Sequence, residues 1–388
     1  MNSPKTSGKY DLLNASVLFS TPILAAVIVP LFWINTGFTY MDWVWFGIFM
    51  VCTGLGITGG YHRLWSHKAY DAHFLVKLFY AYWGACATQN SILKWSADHR
   101  DHHKHVDNNE KDPYSAKKGF WWSHMGWIIN KKDRTDYSNV KDLQKDKVVM
   151  WQHNNYLFLT LFSNFAVPLG LGYATVAITG TGSIWGPLVL AGLLRFVLNH
   201  HFTFFINSAC HFFGTQPYSN KDTSRDNFVL ALVTYGEGYH NFHHTFQADY
   251  RNGIKWYHFD PTKWLVKGLS FVGLTSNLRK VSDNQIMKQK LLHSMSKEKE
   301  NMYERLKIIT DSSLYQNVES TFNDWMQSLN EWLEAKQKYF RMCKDDKVSN
   351  EERASLNEKQ QALKEVFEAK KAKLMEIFQA QTPAAISI

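Results

Sequence analysis

His62-Arg63-Leu64-Trp65-Ser66-His67 and His99-Arg100-Asp101-His102-His103 bracket one stretch of the chain, and His240-Asn241-Phe242-His243-His244 repeats the second pattern about 140 residues later. On an α-helix, positions i, i+3 and i+4 project from one face, so His99, His102 and His103 can converge, and so can His240, His243 and His244. Adjacent histidines diverge by about 100°, because a turn holds 3.6 residues, and this lets one box serve two metals. His62 and His67 fit one α-helical face less well, so that pair is expected to span a helix end or bend. Two H-x-x-H-H copies together with one H-x-x-x-x-H point to one shared metal centre.

With His211, the boxes supply nine histidines, more than one tetrahedral zinc needs. Imidazole suits zinc, copper, iron or nickel, so spacing alone leaves the metal open. Ligand histidines usually donate their second ring N–H to a carboxylate or carbonyl. Asp98, Asp101, Asp107 and Glu237 are the candidates nearest in sequence. His73, His153 and His293 read as ordinary surface histidines, whereas His105, His124, His200, His201 and His258 are candidates for supporting roles.

Around the boxes the chain alternates apolar and polar. It has 388 residues, 15% of them aromatic, and a net charge of +9. Apolar spans of about 20 residues are expected near 15–34, 42–61, 157–178 and 184–207, the length that crosses a bilayer. Lys and Arg are absent between Lys9 and Arg63 and from the turn Gly180-Thr181-Gly182, whereas the outer flanks of both hairpins are basic. The positive-inside rule therefore places both termini and all the large polar segments on the cytoplasmic side. Residues 74–95 mix apolar residues with Lys77, Gln89, Asn90 and Lys94 and read as an interfacial or partly buried helix. Arg195, His200 and His201 lie inside the fourth span and should face protein or the span's cytoplasmic end.

The positive charge suits lipid head groups or a phosphorylated substrate, and no nucleic-acid-binding motif accompanies it. Cys52, Cys86, Cys210 and Cys343 are scattered, with no C-x-x-C pair, so neither a disulfide framework nor a thiolate metal site is indicated. The expected organisation is a polar segment at 1–14, a membrane domain at 15–281 and a charged helical extension at 282–388. In that extension Phe322, Trp325, Met326, Leu329, Trp332 and Leu333 recur at helical spacing. Ser349 and Glu352 resemble a capping box, opening a helix with Leu356, Leu363, Val366, Leu374 and Ile377 on one stripe.

The runs Gly59-Gly60-Tyr61-His62, Trp95-Ser96-Ala97-Asp98-His99, Asn207-Ser208-Ala209-Cys210-His211 and Tyr235-Gly236-Glu237-Gly238-Tyr239-His240, set between two pairs of apolar spans, carry a family likeness. From about residue 40 to residue 280 the chain resembles the membrane fatty acid desaturase superfamily, and most closely its acyl-CoA delta-9 desaturases of the stearoyl-CoA type. The resemblance implies an all-α integral membrane protein, with four transmembrane helices in two hairpins and a cytoplasmic helical cap holding a di-iron site. It implies that His62, His67, His99, His102, His103, His211, His240, His243 and His244 ligate two iron ions (Fe2+), with Asn207 reaching one through water.

By the same likeness Gln89, Trp95 and Thr203 shape a kinked acyl tunnel, and Lys131 and Lys132 meet the phosphates of fatty acyl-CoA. Dioxygen would serve as oxidant to introduce a cis double bond, with two electrons from outside. The His-Pro-Gly-Gly haem motif of a fused cytochrome b5 domain is not found. A separate cytochrome b5-like or ferredoxin-like donor with its reductase is therefore expected. The membrane would be a bacterial inner membrane or the endoplasmic reticulum, and the C-terminal helices offer a route to a homo-oligomer. Two rivals are a related di-iron fatty acyl hydroxylase or desaturase of different regioselectivity, and a haem- or metal-binding membrane protein. The second fits poorly, since its histidines should lie within the spans rather than at their ends.

Overall fold

The computed structural model describes residues 10–130, 136–306, 312–343 and 348–380. The chain divides into two compact units, Met1–Gln216 with Asn220–Lys280, and Pro217–Ser219 with Val281–Ile388. Lys131 and Lys132 lie outside the described residues, as do residues 1–9 of the polar N-terminal segment.

Four helices of the first unit are long and apolar enough to cross a membrane: Leu12–Asn35, Tyr40–Ser66, Tyr156–Thr179 and Leu188–Phe212. The first of them, α1 (Leu12–Asn35), has 24 residues. At 1.5 Å per residue that is about 36 Å, against a hydrocarbon core of about 30 Å. Asp11 caps its start by accepting from the Asn14 N–H at 3.0 Å. It leaves Phe19, Ile23, Val27, Leu31 and Trp33 exposed. A helix with such a surface needs lipid around it, and the protein is an integral membrane protein.

Thr39 and Asp42 form a reciprocal capping box that starts α2 (Tyr40–Leu55). The helix then continues as a π-helix, Gly56–Ser66, every residue of which is buried. Gly60 lets this segment approach Tyr80, whose own Cβ a Cβ at Gly60 would meet at 2.5 Å. The third span ends at Thr179 against Gly180, whose φ of 68° supplies a left-handed cap.

The segment 74–95 differs from the single helix expected for it. It is split into α3 (Phe74–Cys86) and α4 (Ile92–His105). The intervening turn carries Thr88 and Asn90 at positive φ, and Ser91 caps α4 by accepting from the Lys94 N–H at 3.4 Å. A two-residue antiparallel pairing, Asp71–Ala72 with Thr275–Ser276, ties the chain after the first box to the end of the unit. The core of the unit gathers Tyr61, Trp65, Tyr80, Ile92 and Val266 beneath the histidine region.

The second unit is built from the helices Asp283–Leu306, Ser312–Met342 and Asn350–Ala380. Its core holds Phe322, Trp325, Leu329, Trp332 and Leu333. The Ser349–Glu352 capping box forms, with bonds of 3.1 and 3.2 Å. In the last helix Leu363, Leu374 and Ile377 of the expected stripe pack on the core, but Val366 is exposed, and Phe367 is buried in its place against Trp332 with their rings stacked at 5.1 Å.

Candidate metal centre

The first box solves its spacing problem with the π-helix. The His67 N–H donates to the His62 carbonyl at 3.1 Å, an i to i+5 bond. Five residues therefore make one π turn, and the two rings meet at 4.7 Å between centroids. The second box lies on the last turns of α4, and the third forms its own short helix, His240–Thr245. His211 sits in Ala209–Phe212, after a break at Ser208.

Nine histidines meet in two groups. His62, His67, His99, His103 and His243 form one, and His102, His211, His240 and His244 the other; within each, the available ligand atoms lie within 4.8 Å of one another. The i and i+4 members of each H-x-x-H-H box stay together while the i+3 member joins the other group, because i+3 and i+4 point about 100° apart. The groups adjoin, with the His103 and His244 rings stacked at 4.4 Å.

Four of the outward nitrogens, on His62, His99, His102 and His211, are held by hydrogen bonds or an ion pair. His102 Nδ1–H donates to Asp112 Oδ1 at 2.9 Å, and His99 Nδ1–H to the Tyr114 hydroxyl oxygen at 3.1 Å. His211 Nδ1–H donates to Thr223 Oγ1 at 2.8 Å, and that hydroxyl donates onward to Asp107 Oδ1 at 2.9 Å. His62 Nδ1 lies 3.0 Å from Glu237 Oε2. Glu237 is itself gripped by the buried Arg63, whose Nη2 is 2.8 Å from Oε1, and by Asn252 at 2.6 Å. Burial alone would raise the Glu237 carboxyl, but His62 and Arg63 outweigh it and pull it down to about 2. A carboxylate is thus fixed behind a candidate ligand, the arrangement that orients histidine at metals.

The Nε2 atoms point inward at one another, and where Nδ1 donates outward the lone pair is left on Nε2. His62 and His243 face each other at 3.0 Å, His67 and His99 at 2.8 Å, His243 and His103 at 3.1 Å, and His240 and His211 at 3.2 Å. Burial first, and neighbouring histidines second, hold His99, His103, His240, His243 and His244 well below the ordinary histidine range. Protons therefore do not relieve these convergent lone pairs. A shared cation in each group would, so the residues fit two metal ions.

Of the four acidic candidates, Glu237 touches a box histidine, Asp107 acts through Thr223, and Asp101 instead accepts from Asn139 Nδ2 at 2.9 Å. Asp98 lines the adjoining cavity. Sequence reasoning missed Asp112, Tyr114 and Thr223, because they lie on irregular chain where no periodicity marks them. His73 caps α3, His153 bonds Ser91, and His258 stacks on Tyr239. His124 pairs with His201 at 3.0 Å and with Ser208 at 2.9 Å, beside the break that precedes His211.

A cavity of about 470 Å³ opens onto both groups. Its wall includes His62, His99 and His240 together with Gln89, Trp95, Thr203 and Asn207, and elsewhere it is mainly apolar, from Leu13 and Val17 to Leu161 and Phe196. Gln89 Nε2 donates to Thr203 Oγ1 at 2.8 Å across it.

Fold and site define an integral membrane protein with two adjoining histidine groups suited to metal beside an apolar cavity. Residues 16–270 match the family described as fatty acid desaturase, and the chain belongs to that family. It is 44% identical over 239 residues to acyl-CoA desaturase 1 of Saccharomyces cerevisiae, covering 60% of this chain and 45% of that protein. It is 35% identical over 252 residues to stearoyl-CoA desaturase 5 of Homo sapiens, 64% of this chain and 75% of that one. With sn-1 stearoyl-lipid 9-desaturase of Synechocystis it shares 36% over 239 residues, 60% and 70% of the two chains. The chain spans about half the length of the Saccharomyces and Schizosaccharomyces relatives it matches.

Proposed function

We propose that the protein is an oxygen-dependent acyl-CoA desaturase that places a cis double bond, at the delta-9 position, in a saturated acyl chain. The observation that carries the reading is the mainly apolar cavity whose wall contains both histidine groups' members His62, His99 and His240. Two iron ions held by the nine histidines, with Asn207 contributing through water, would use dioxygen to remove one hydrogen from each of two neighbouring methylenes. Dioxygen becomes two waters, taking two hydrogens from the chain and two electrons and two protons from outside.

The chain's own residues bind and orient. Burial of each CH₂ in the cavity contributes about 0.8 kcal/mol, and Gln89, Trp95 and Thr203 shape the wall so that one pair of methylenes faces the histidines. Glu237, Asp112 and Thr223 hold ring nitrogens outward, which keeps Nε2 available. Lys131 and Lys132 are assigned to the CoA phosphates on their charge, which suits a phosphate partner. Electrons come from a separate donor of cytochrome b5 or ferredoxin type, and both termini face the cytoplasm. The stearoyl-lipid relative favours a second reading, in which the acyl group arrives on a lipid.

Expression in a desaturase-deficient host, with fatty acid profiling, tests the reading. Monounsaturated product from the wild type and none from His103→Ala is expected. Hydroxy fatty acids in place of alkenes, or no change in either strain, would refute it. Membranes supplied with stearoyl-CoA or with stearoyl-lipid separate the two substrate forms.

A further inference from the structure

The turn between α3 and α4 is strained and held from several sides. Thr88 and Asn90 adopt φ of 58° and 74°, left-handed conformations that non-glycine residues keep where surroundings impose them. Beside the turn lies Arg195, fully buried inside the fourth span. An ionisable group at that depth is expensive and points to a role. Its Nη1 donates to the Cys86 carbonyl at 3.1 Å, its Nε to Ala191 O at 2.9 Å, and its Nη2 to Asn164 Oδ1. Cys86 closes α3, so the cation meets a helix-end carbonyl.

Asn164, on the third span, completes the grip. Its amide donates to Cys86 O at 3.1 Å, Thr160 O at 2.9 Å and Thr88 Oγ1 at 3.3 Å. His200 presents Nε2 to Thr88 O at 3.1 Å and Nδ1 to Phe196 O at 2.8 Å; a neutral ring, with one N–H, donates to one of them at a time. On the far side, the Asn90 N–H donates to the Tyr156 hydroxyl oxygen at 2.9 Å. Gln89, between the two strained residues, carries the bond to Thr203 across the cavity. Two residues after Asn90, α4 begins and runs to His99, His102 and His103.

One turn therefore sets both the wall that bends the acyl chain and the height of three candidate metal ligands. We infer that Arg195, Asn164 and His200 form a clamp on residues 86–90 that fixes which methylenes reach the metal centre. They are positioning residues for regioselectivity. The inference rests on the desaturase reading. Its physical basis is that a misplacement of about 1 Å is enough to alter reactivity strongly.

The test uses the full chain in a desaturase-deficient host, with double-bond position read by mass spectrometry of dimethyl disulfide adducts. For Asn164→Leu and Arg195→Lys, the ratio of the main isomer to its one-carbon neighbours should fall roughly tenfold, the change that about 1.4 kcal/mol produces. His200→Gln, whose amide still reaches a carbonyl, should keep more of the wild-type ratio than His200→Ala. Thr88→Ala, which removes the hydroxyl that Asn164 holds together with the γ-methyl and leaves the three clamp residues in place, keeps the question answerable if the larger changes prevent accumulation. A regiospecific wild type whose variants, Thr88→Ala included, make the same isomer ratio overturns the clamp alone. A wild type that makes no alkene overturns the desaturase reading and the clamp with it.

Discussion

At His62, His99, His102 and His211 one nitrogen bonds the protein and the other faces the remaining histidines, so the groups behind Nδ1 should set how well the centre holds a metal. Asp112 serves this purpose for His102 and also accepts from the Tyr114 and Asp107 N–H groups. Asp112→Asn keeps the shape but loses the charge that favours a donating Nδ1–H, and should weaken metal retention about 10- to 100-fold. Iron per purified chain, measured by mass spectrometry after dialysis against graded chelator, checks this; retention equal to wild type would contradict it. Farther out, Asp142 takes both arms of Arg100 at 2.7 and 3.0 Å, and Lys68 at 2.9 Å. Partial burial would raise this carboxyl, but the two cations hold it well below the usual carboxylate range. Its contribution to stability is thus fully present above the unfolded value of about 3.9 and is lost as pH falls below that. Thermal unfolding in detergent should show Asp142→Asn with a shallower loss of stability below about pH 4 than wild type, and a parallel acid limb would argue against the pair.

The elements that carry the histidines depend on close approach. The π-helix Gly56–Ser66 crosses α3 where Gly84 faces the buried Tyr61 ring, and a methyl at Gly84 would overlap that ring. Tyr61 cannot easily give way, because its hydroxyl accepts from Gln152 Nε2 at 2.7 Å. Gly84→Ala should destabilise the first unit by on the order of 1–3 kcal/mol and displace His62, one residue beyond Tyr61. A lowered unfolding temperature with reduced iron content is the expected pair of results; an unaltered protein would mean that the helices have room to separate. The sequence showed H-x-x-x-x-H but not the π turn that satisfies it, since local spacing does not reveal which hydrogen-bond ladder tertiary packing selects. It showed apolar character across 74–95 but not the strained turn at 87–91, whose partners lie on the third and fourth spans, far away in the chain.

For the whole molecule, the second unit has its own core, in which Trp325 is fully buried. Trp325→Ala in the full chain should cost that unit about 3–5 kcal/mol. Hydrogen exchange is expected to accelerate across 283–306, 312–342 and 350–380, while protection in the membrane spans persists. Equal acceleration in both units would show that they unfold as one. The helical character of this region was legible from the spacing of Phe322, Trp325, Leu329 and Trp332. That Phe367 rather than Val366 faces inward was not, because adjacent residues differ by about 100° and only the neighbouring helices fix the rotation.

What the sequence determined alone is therefore the material of the protein. It marked four apolar spans, because about 20 apolar residues have few places other than a bilayer, and it marked the histidine boxes, because six imidazoles at i, i+3 and i+4 spacing and a further H-x-x-x-x-H pair form a ligand pattern. Tertiary structure decided the partition of those histidines, with His211, into groups of five and four. It also brought in Asp112, Tyr114 and Thr223 and set the turn that lines the cavity. Each of these joins residues far apart in the chain, whose distances are fixed by packing rather than by local periodicity.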